Sequence, residues 1–125
     1  MYVPKNLPPH ALLVCGLLAT PIASATDKEK ILAGLSGFRE VPSISSPASG
    51  RFEAVIDRKA GTIAYDLSYS GLTGDVQQAH IHVGQRSVNG GVSVFLCQTE
   101  ASPDPTGLAP RCPQRGKVNG MVQSA

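Results

Sequence analysis

RFEAVID, RKAG and TIAYDLSY, running without a break from Arg51 to Tyr69, decide the fold class. In the last of these runs Ile63, Tyr65, Leu67 and Tyr69 alternate with Ala64, Asp66 and Ser68. Successive side chains of a strand point to opposite faces, so the alternation predicts a half-buried strand over Thr62–Tyr69. Phe52, Ala54 and Ile56 keep the same phase in the first run, and Arg58–Gly61 between them is a polar turn with a glycine free to take positive φ. Together the three runs predict a β-hairpin.

The same signals recur outward along the chain. Ile31–Glu40, Gln78–Val83, Val92–Cys97 and, more weakly, Lys117–Val122 read as further strands. Turns are expected at Gly71–Asp75 and at Asn89-Gly90-Gly91, and a loop over Pro42–Gly50. Thr26–Lys30 (TDKEK) is polar and fits either a disordered lead-in or a fragment of helix. Six short strands without a convincing helix predict an all-β domain.

Length and composition agree. The chain has 125 residues, 42% of them hydrophobic and only 5% aromatic, with 13 Gly and 10 Pro. That profile excludes a multidomain enzyme and a long coiled coil. Eleven Lys and Arg against nine Asp and Glu give a formal charge of +2 with no basic cluster, so no nucleic-acid partner is indicated.

Residues 1–25 read as an export signal. Lys5 supplies a positive start, Ala11–Ala19 (ALLVCGLLA) the apolar stretch, and Ala23-Ser24-Ala25 the small residues a signal peptidase needs. The nine residues from Ala11 to Ala19 fall short of the ~20 that span a bilayer. A lipoprotein would need a small residue before its cysteine, and Val14 precedes Cys15. The expected exported module is therefore residues 26–125, with no transmembrane segment left after cleavage, placed in the periplasm, the cell envelope or the medium.

Two cysteines remain in that module, Cys97 and Cys112. An even pair in an oxidising compartment predicts a disulfide closing the Pro- and Ser-rich segment between them. The competing reading, two thiolates of a metal site, lacks the four N or S ligands of structural zinc.

Two histidines remain as well, in Ala79-His80-Ile81-His82-Val83-Gly84. Positions two apart on a strand lie on one side with Cα atoms ~6.6 Å apart, so His80 and His82 can converge on one metal ion while Ala79, Ile81 and Val83 face the core. Further ligands would be carboxylates such as Asp66, Asp75 or Glu100, or come from another chain. The plain alternative is two histidines bonded to neighbours or water. No serine sits in a Gly-x-Ser-x-Gly turn, and no phosphate-binding glycine loop precedes a helix. Glu40 and Glu53 would need a cleft to act as a carboxylate pair. The chain is expected not to be an enzyme and to have no catalytic residues.

Four segments resemble the CHRD domain first described in chordin: LSGFREVP (Leu35–Pro42), ASG (Ala48–Gly50) leading a strand, IAYDLSYSGL (Ile63–Leu72) and AHIHVG (Ala79–Gly84). Phe95-Leu96-Cys97 and Cys112-Pro113 look like the bacterial secreted single-domain members. The resemblance implies an antiparallel β-sandwich or Greek-key-like barrel, exported, with a non-catalytic binding or structural role and an extracytoplasmic protein or glycan as partner. Chordin's growth-factor binding depends on companion modules and is not implied here. Family members continue past the segment matching Val118-Asn119-Gly120 with a strand bearing another histidine and a closing strand. The resemblance therefore implies a module missing its closing strands. Locally, His80-Ile81-His82 also looks like the copper strand of copper/zinc superoxide dismutases, which implies an alternative function of binding copper or zinc. The further metal-binding histidines of those enzymes have no counterpart in the chain.

Overall fold

The computed structural model describes residues 27–123, and the export-type segment lies outside them. Six strands follow in chain order: β1 (Lys28–Ser36), β2 (Ser49–Asp57), β3 (Thr62–Ser70), β4 (Ala79–His82), β5 (Val92–Cys97) and β6 (Gly116–Gln123). All pairings between them are antiparallel. One sheet has the order β1-β2-β3-β6, and β4 and β5 form a second. The sheets stack as a β-sandwich and do not close into a barrel.

The β2–β3 hairpin forms where the alternation places it, with Asp57 opposite Thr62 and Ala54 opposite Tyr65. In the turn, the Ala60 amide donates to the Asp57 carboxylate at 2.9 Å and Gly61 sits at φ +63°. That amide bond, chiefly, holds the Asp57 carboxyl below its ordinary value.

β1 differs from its predicted span at both ends. It starts at Lys28, because the polar lead-in pairs with β2. Lys28 meets Asp57 at 3.5 Å, Arg58 meets Glu29 at 2.5 Å, and the Arg58 amide donates to the Asp27 carbonyl at 2.8 Å. Charged groups that would be wasted in a tail complement each other across the strands. The strand ends at Ser36, since Gly37–Arg39 tighten into a 3-10 turn whose Gly37 carbonyl accepts from the Glu40 and Ile44 amides.

β4 is shorter than predicted, and its register against β5 breaks at Ala79/His80 and at Ile81/His82. The connection to β5 also turns elsewhere than expected. Its apex lies around Gln85–Val88, where the Val88 amide donates to the Gln85 carbonyl, and not at Asn89-Gly90-Gly91. Gly90 serves close approach instead: a Cβ there would stand 1.7 Å from the Val83 carbonyl oxygen.

The core lies between the sheets. Ala54, Tyr65, Leu67 and Val118 from the four-stranded sheet pack with Leu96 and Cys97 from the two-stranded one. Tyr65 stacks near Phe52 and donates its hydroxyl proton to the Leu96 carbonyl, tying the layers together. The outer face of the larger sheet carries the ion pairs Arg51–Glu53 and Lys117–Asp66.

Cys97 and Cys112 are joined in a disulfide, as the sequence predicts. The segment it encloses is not loose. Asp104, 5% exposed, accepts at its carboxylate from the Thr106 amide (2.9 Å), the Thr106 hydroxyl (2.7 Å) and the amides of Leu108 (3.1 Å) and Ala109 (3.0 Å). Its own amide donates to Gln98 Oε1 at 2.9 Å, and Gln98 Nε2 donates to the Ala109 carbonyl. Polar satisfaction thus replaces the apolar packing this segment lacks.

The hydrogen bond from Thr106 and those from the loop amides hold the Asp104 carboxyl below its ordinary value. A depressed carboxylate stabilises fully above its unfolded pKa and loses that contribution as pH falls through the folded one. Urea midpoints are therefore expected to fall as pH drops below the ordinary carboxylate range. Asp104→Asn, whose amide nitrogen cannot accept these bonds, should lower the midpoint at pH 7 and flatten that acid limb. An unchanged acid limb in the variant would assign the titration to another group.

Candidate functional site

Two features stand apart from the packing: a groove at one end of the sandwich and the histidine pair on β4. The groove exists because two strands cannot cover four. Beyond the span of β4 and β5, the inner face of the larger sheet is flanked by two connections, residues 37–48 and 71–78. Leu35 at the end of β1, Leu67 and Tyr69 of β3, Ile44 of the first connection, and Leu72 and Val76 of the second form its apolar walls. It opens over about 600 Å³, within the range of small-ligand and peptide clefts. Leu35, Ile44 and Leu72 are exposed there.

The charged groups lining the groove are Glu40 and Asp75, and none of the described residues that line it is Lys, Arg or His. The Tyr69 hydroxyl is already committed, donating to the Pro113 carbonyl, and burial pushes its pKa up. The groove thus presents apolar walls and an acidic rim.

On β4 the two histidines do fall on one side. Their ring centres are 4.6 Å apart with planes at 87°, and the Phe95 ring of β5 lies 6.1 Å from His80. The His82 ring is exposed and its Nδ1 is 2.7 Å from the Gly90 carbonyl oxygen. His80 Nδ1 is shut off from solvent without a hydrogen-bond partner. Burial first, then the neighbouring His82, lowers the His80 pKa, while the charge of Glu40 acts to raise it.

The carboxylates that the sequence offers as further ligands are placed elsewhere. Asp66 pairs with Lys117 at 2.8 Å on the outer face, Glu100 with Arg111 at 3.2 Å, and Asp75 lines the groove. No group of three or more His, Cys, Asp or Glu is placed to hold a metal ion among the described residues. Glu53 pairs with Arg51 on the outer face, away from Glu40 at the groove.

The groove is what sequence reasoning missed. Its signal is present in Ile44 and Leu72, apolar residues inside stretches that otherwise read as loop and turn, and in Val76 just after that turn. Apolar side chains in connections have no strand face to explain them, and here they line a cleft.

The model of the CHRD domain matches residues 31–121, from within β1 into β6. The chain belongs to the CHRD domain family. That span takes in both sheets, the groove, the histidine pair and the disulfide, so the CHRD match describes the unit that carries every candidate site. No curated protein and no solved structure matches the chain. No helix among the described residues of this CHRD domain is long and apolar enough to cross a membrane.

Proposed function

We propose that this CHRD domain works outside the cytoplasm as a non-catalytic binding module, and that its groove takes an apolar segment of a protein partner flanked by Lys or Arg. The observation that carries the reading is the lining itself: apolar walls over about 600 Å³ with two acids and no base. A protein segment fits those walls better than a glycan, because Tyr69 is the groove's one aromatic platform and its hydroxyl is already engaged. Two acids at the rim favour basic flanks and disfavour anionic amphiphiles. The Cys97–Cys112 bridge and the export-type start support a location in an oxidising compartment.

Fluorescence anisotropy with extended apolar peptides tests this. A peptide flanked by Lys is expected to bind about tenfold more tightly than its Glu-flanked counterpart at low salt, and the gap should shrink as salt rises. Glu40→Lys with Asp75→Lys should invert the preference. Equal affinities in both proteins would remove the electrostatic basis of the proposal, and turnover of a substrate by the purified chain would remove its non-catalytic part.

A further inference from the structure

Neither histidine lines the groove, and His80, with one ring nitrogen buried, is not simply a solvated side chain. We propose that His80 and His82 form a copper site on β4, each supplying one ring nitrogen, with water or a partner's group completing the coordination. A metal ion held ~2.0–2.1 Å from one nitrogen of each of two imidazoles, at an angle of roughly 90–110°, sets their ring centres roughly 4.5–5 Å apart. The observed 4.6 Å, in an edge-to-face pair, is compatible with that spacing.

Each ring is also prepared in its own way. A bond of 2.7 Å to the Gly90 carbonyl oxygen requires the Nδ1–H of His82 to donate, which leaves Nε2 with its lone pair free on an exposed ring. Metal-ligating histidines are oriented by this kind of outer bond. His80 keeps a buried ring nitrogen, Nδ1, with no hydrogen-bond partner from the protein. A buried ring nitrogen without a protein partner is uncommon in folded chains, and a bound metal ion is one group that satisfies it. Both rings stand on one short strand, with Phe95 packed beside His80 and His82 tethered to Gly90.

The donor set chooses the metal. Both Cys97 and Cys112 are consumed by the disulfide, and no third protein ligand of the usual types joins the pair among the described residues. Structural zinc asks for four protein ligands. A site with two imidazole nitrogens and open positions ranks Cu2+ above Zn2+ in affinity.

The test uses the full chain without a histidine tag, titrated with CuCl2 against a fluorescent chelator and followed by electron paramagnetic resonance. His10 and Cys15 are present in every variant, so differences between variants report β4 alone. The wild-type chain is expected to take up one more equivalent of copper than the His80→Ala/His82→Ala double variant, with a signal split by two nitrogens. Zn2+ at equal concentration should not displace it. Loss of a direct ligand should cost at least the ~10–100-fold in affinity that loss of an outer-shell partner costs. His82→Gln is the folding control, since the ring is exposed: it should melt with the wild type and still lose copper by that factor. Equal uptake in the double variant, a signal from a single nitrogen, full affinity in His82→Gln, or displacement by zinc would each overturn the copper site.

Discussion

Replacing Cys97 and Cys112 together by alanine is expected to lower the stability of the CHRD domain by ~3 kcal/mol in the chain-entropy description of a loop of this size. The bridge spans 15 residues and ends at Cys97, which is wholly buried in the core. With a slope of ~1–3 kcal/mol per molar urea, the unfolding midpoint should move down by ~1–3 M. Alanine is the appropriate replacement, because serine would add the cost of burying an unpaired hydroxyl beside Leu96. Small domains hold only ~5–15 kcal/mol in total, so this one bond represents a large share. The Asp104 knot should survive locally in the native state, as its hydrogen bonds reach Gln98 and the loop amides and not the sulfurs. A midpoint within ~0.3 M of the wild type would mean that this knot, and not the disulfide, is what closes the loop.

Truncating Tyr65 is expected to be at least as damaging. Tyr65→Ala removes a ring that is 5% exposed at the centre of the core and should cost ~3–5 kcal/mol. Tyr65→Phe keeps the ring and removes only the bond to the Leu96 carbonyl, leaving that acceptor without its donor at ~1–3 kcal/mol. The two changes should also differ in where they act. Loss of the hydroxyl releases one layer from the other, so amide exchange should speed up in β4 and β5 before it does in β2 and β3. Uniform acceleration across both sheets after Tyr65→Phe would show that the layers open as one unit without regard to this bond.

The hairpin from Arg51 to Tyr69 was legible because every local signal there agrees: phase, turn polarity and the glycine at positive φ. The buried partners of the second sheet, Leu96 and Cys97, fall within a strand read correctly from Val92 to Cys97. Ends were less legible. Lys28–Lys30 look like a tail by polarity, and it is pairing with β2, helped by the acid Asp57 and the base Arg58, that makes a strand of them. Glycines misled once, since Gly90 answers to the nearby Val83 carbonyl and not to a turn at its own position.

For the sites, spacing alone put His80 and His82 on one side of a strand. It could not supply the bond to Gly90 or the orphaned nitrogen, which depend on residues eight positions away and on burial. The groove was beyond sequence reading for a related reason. It is defined by what the two-stranded sheet fails to cover, and coverage is a property of how layers stack, not of any single run of residues.

Binding at the groove is best tested by methyl NMR of the chain during titration with the Lys-flanked apolar peptide. Leu35, Ile44, Leu67, Leu72 and Val76 report from its walls, while Leu32, Val55 and Met121 report from the outer face of the larger sheet. Shifts that saturate at the wall methyls, with the outer-face methyls still, are the predicted result. Shifts confined to the outer face, or none at any methyl up to millimolar peptide, would contradict the groove as the working surface of this CHRD domain.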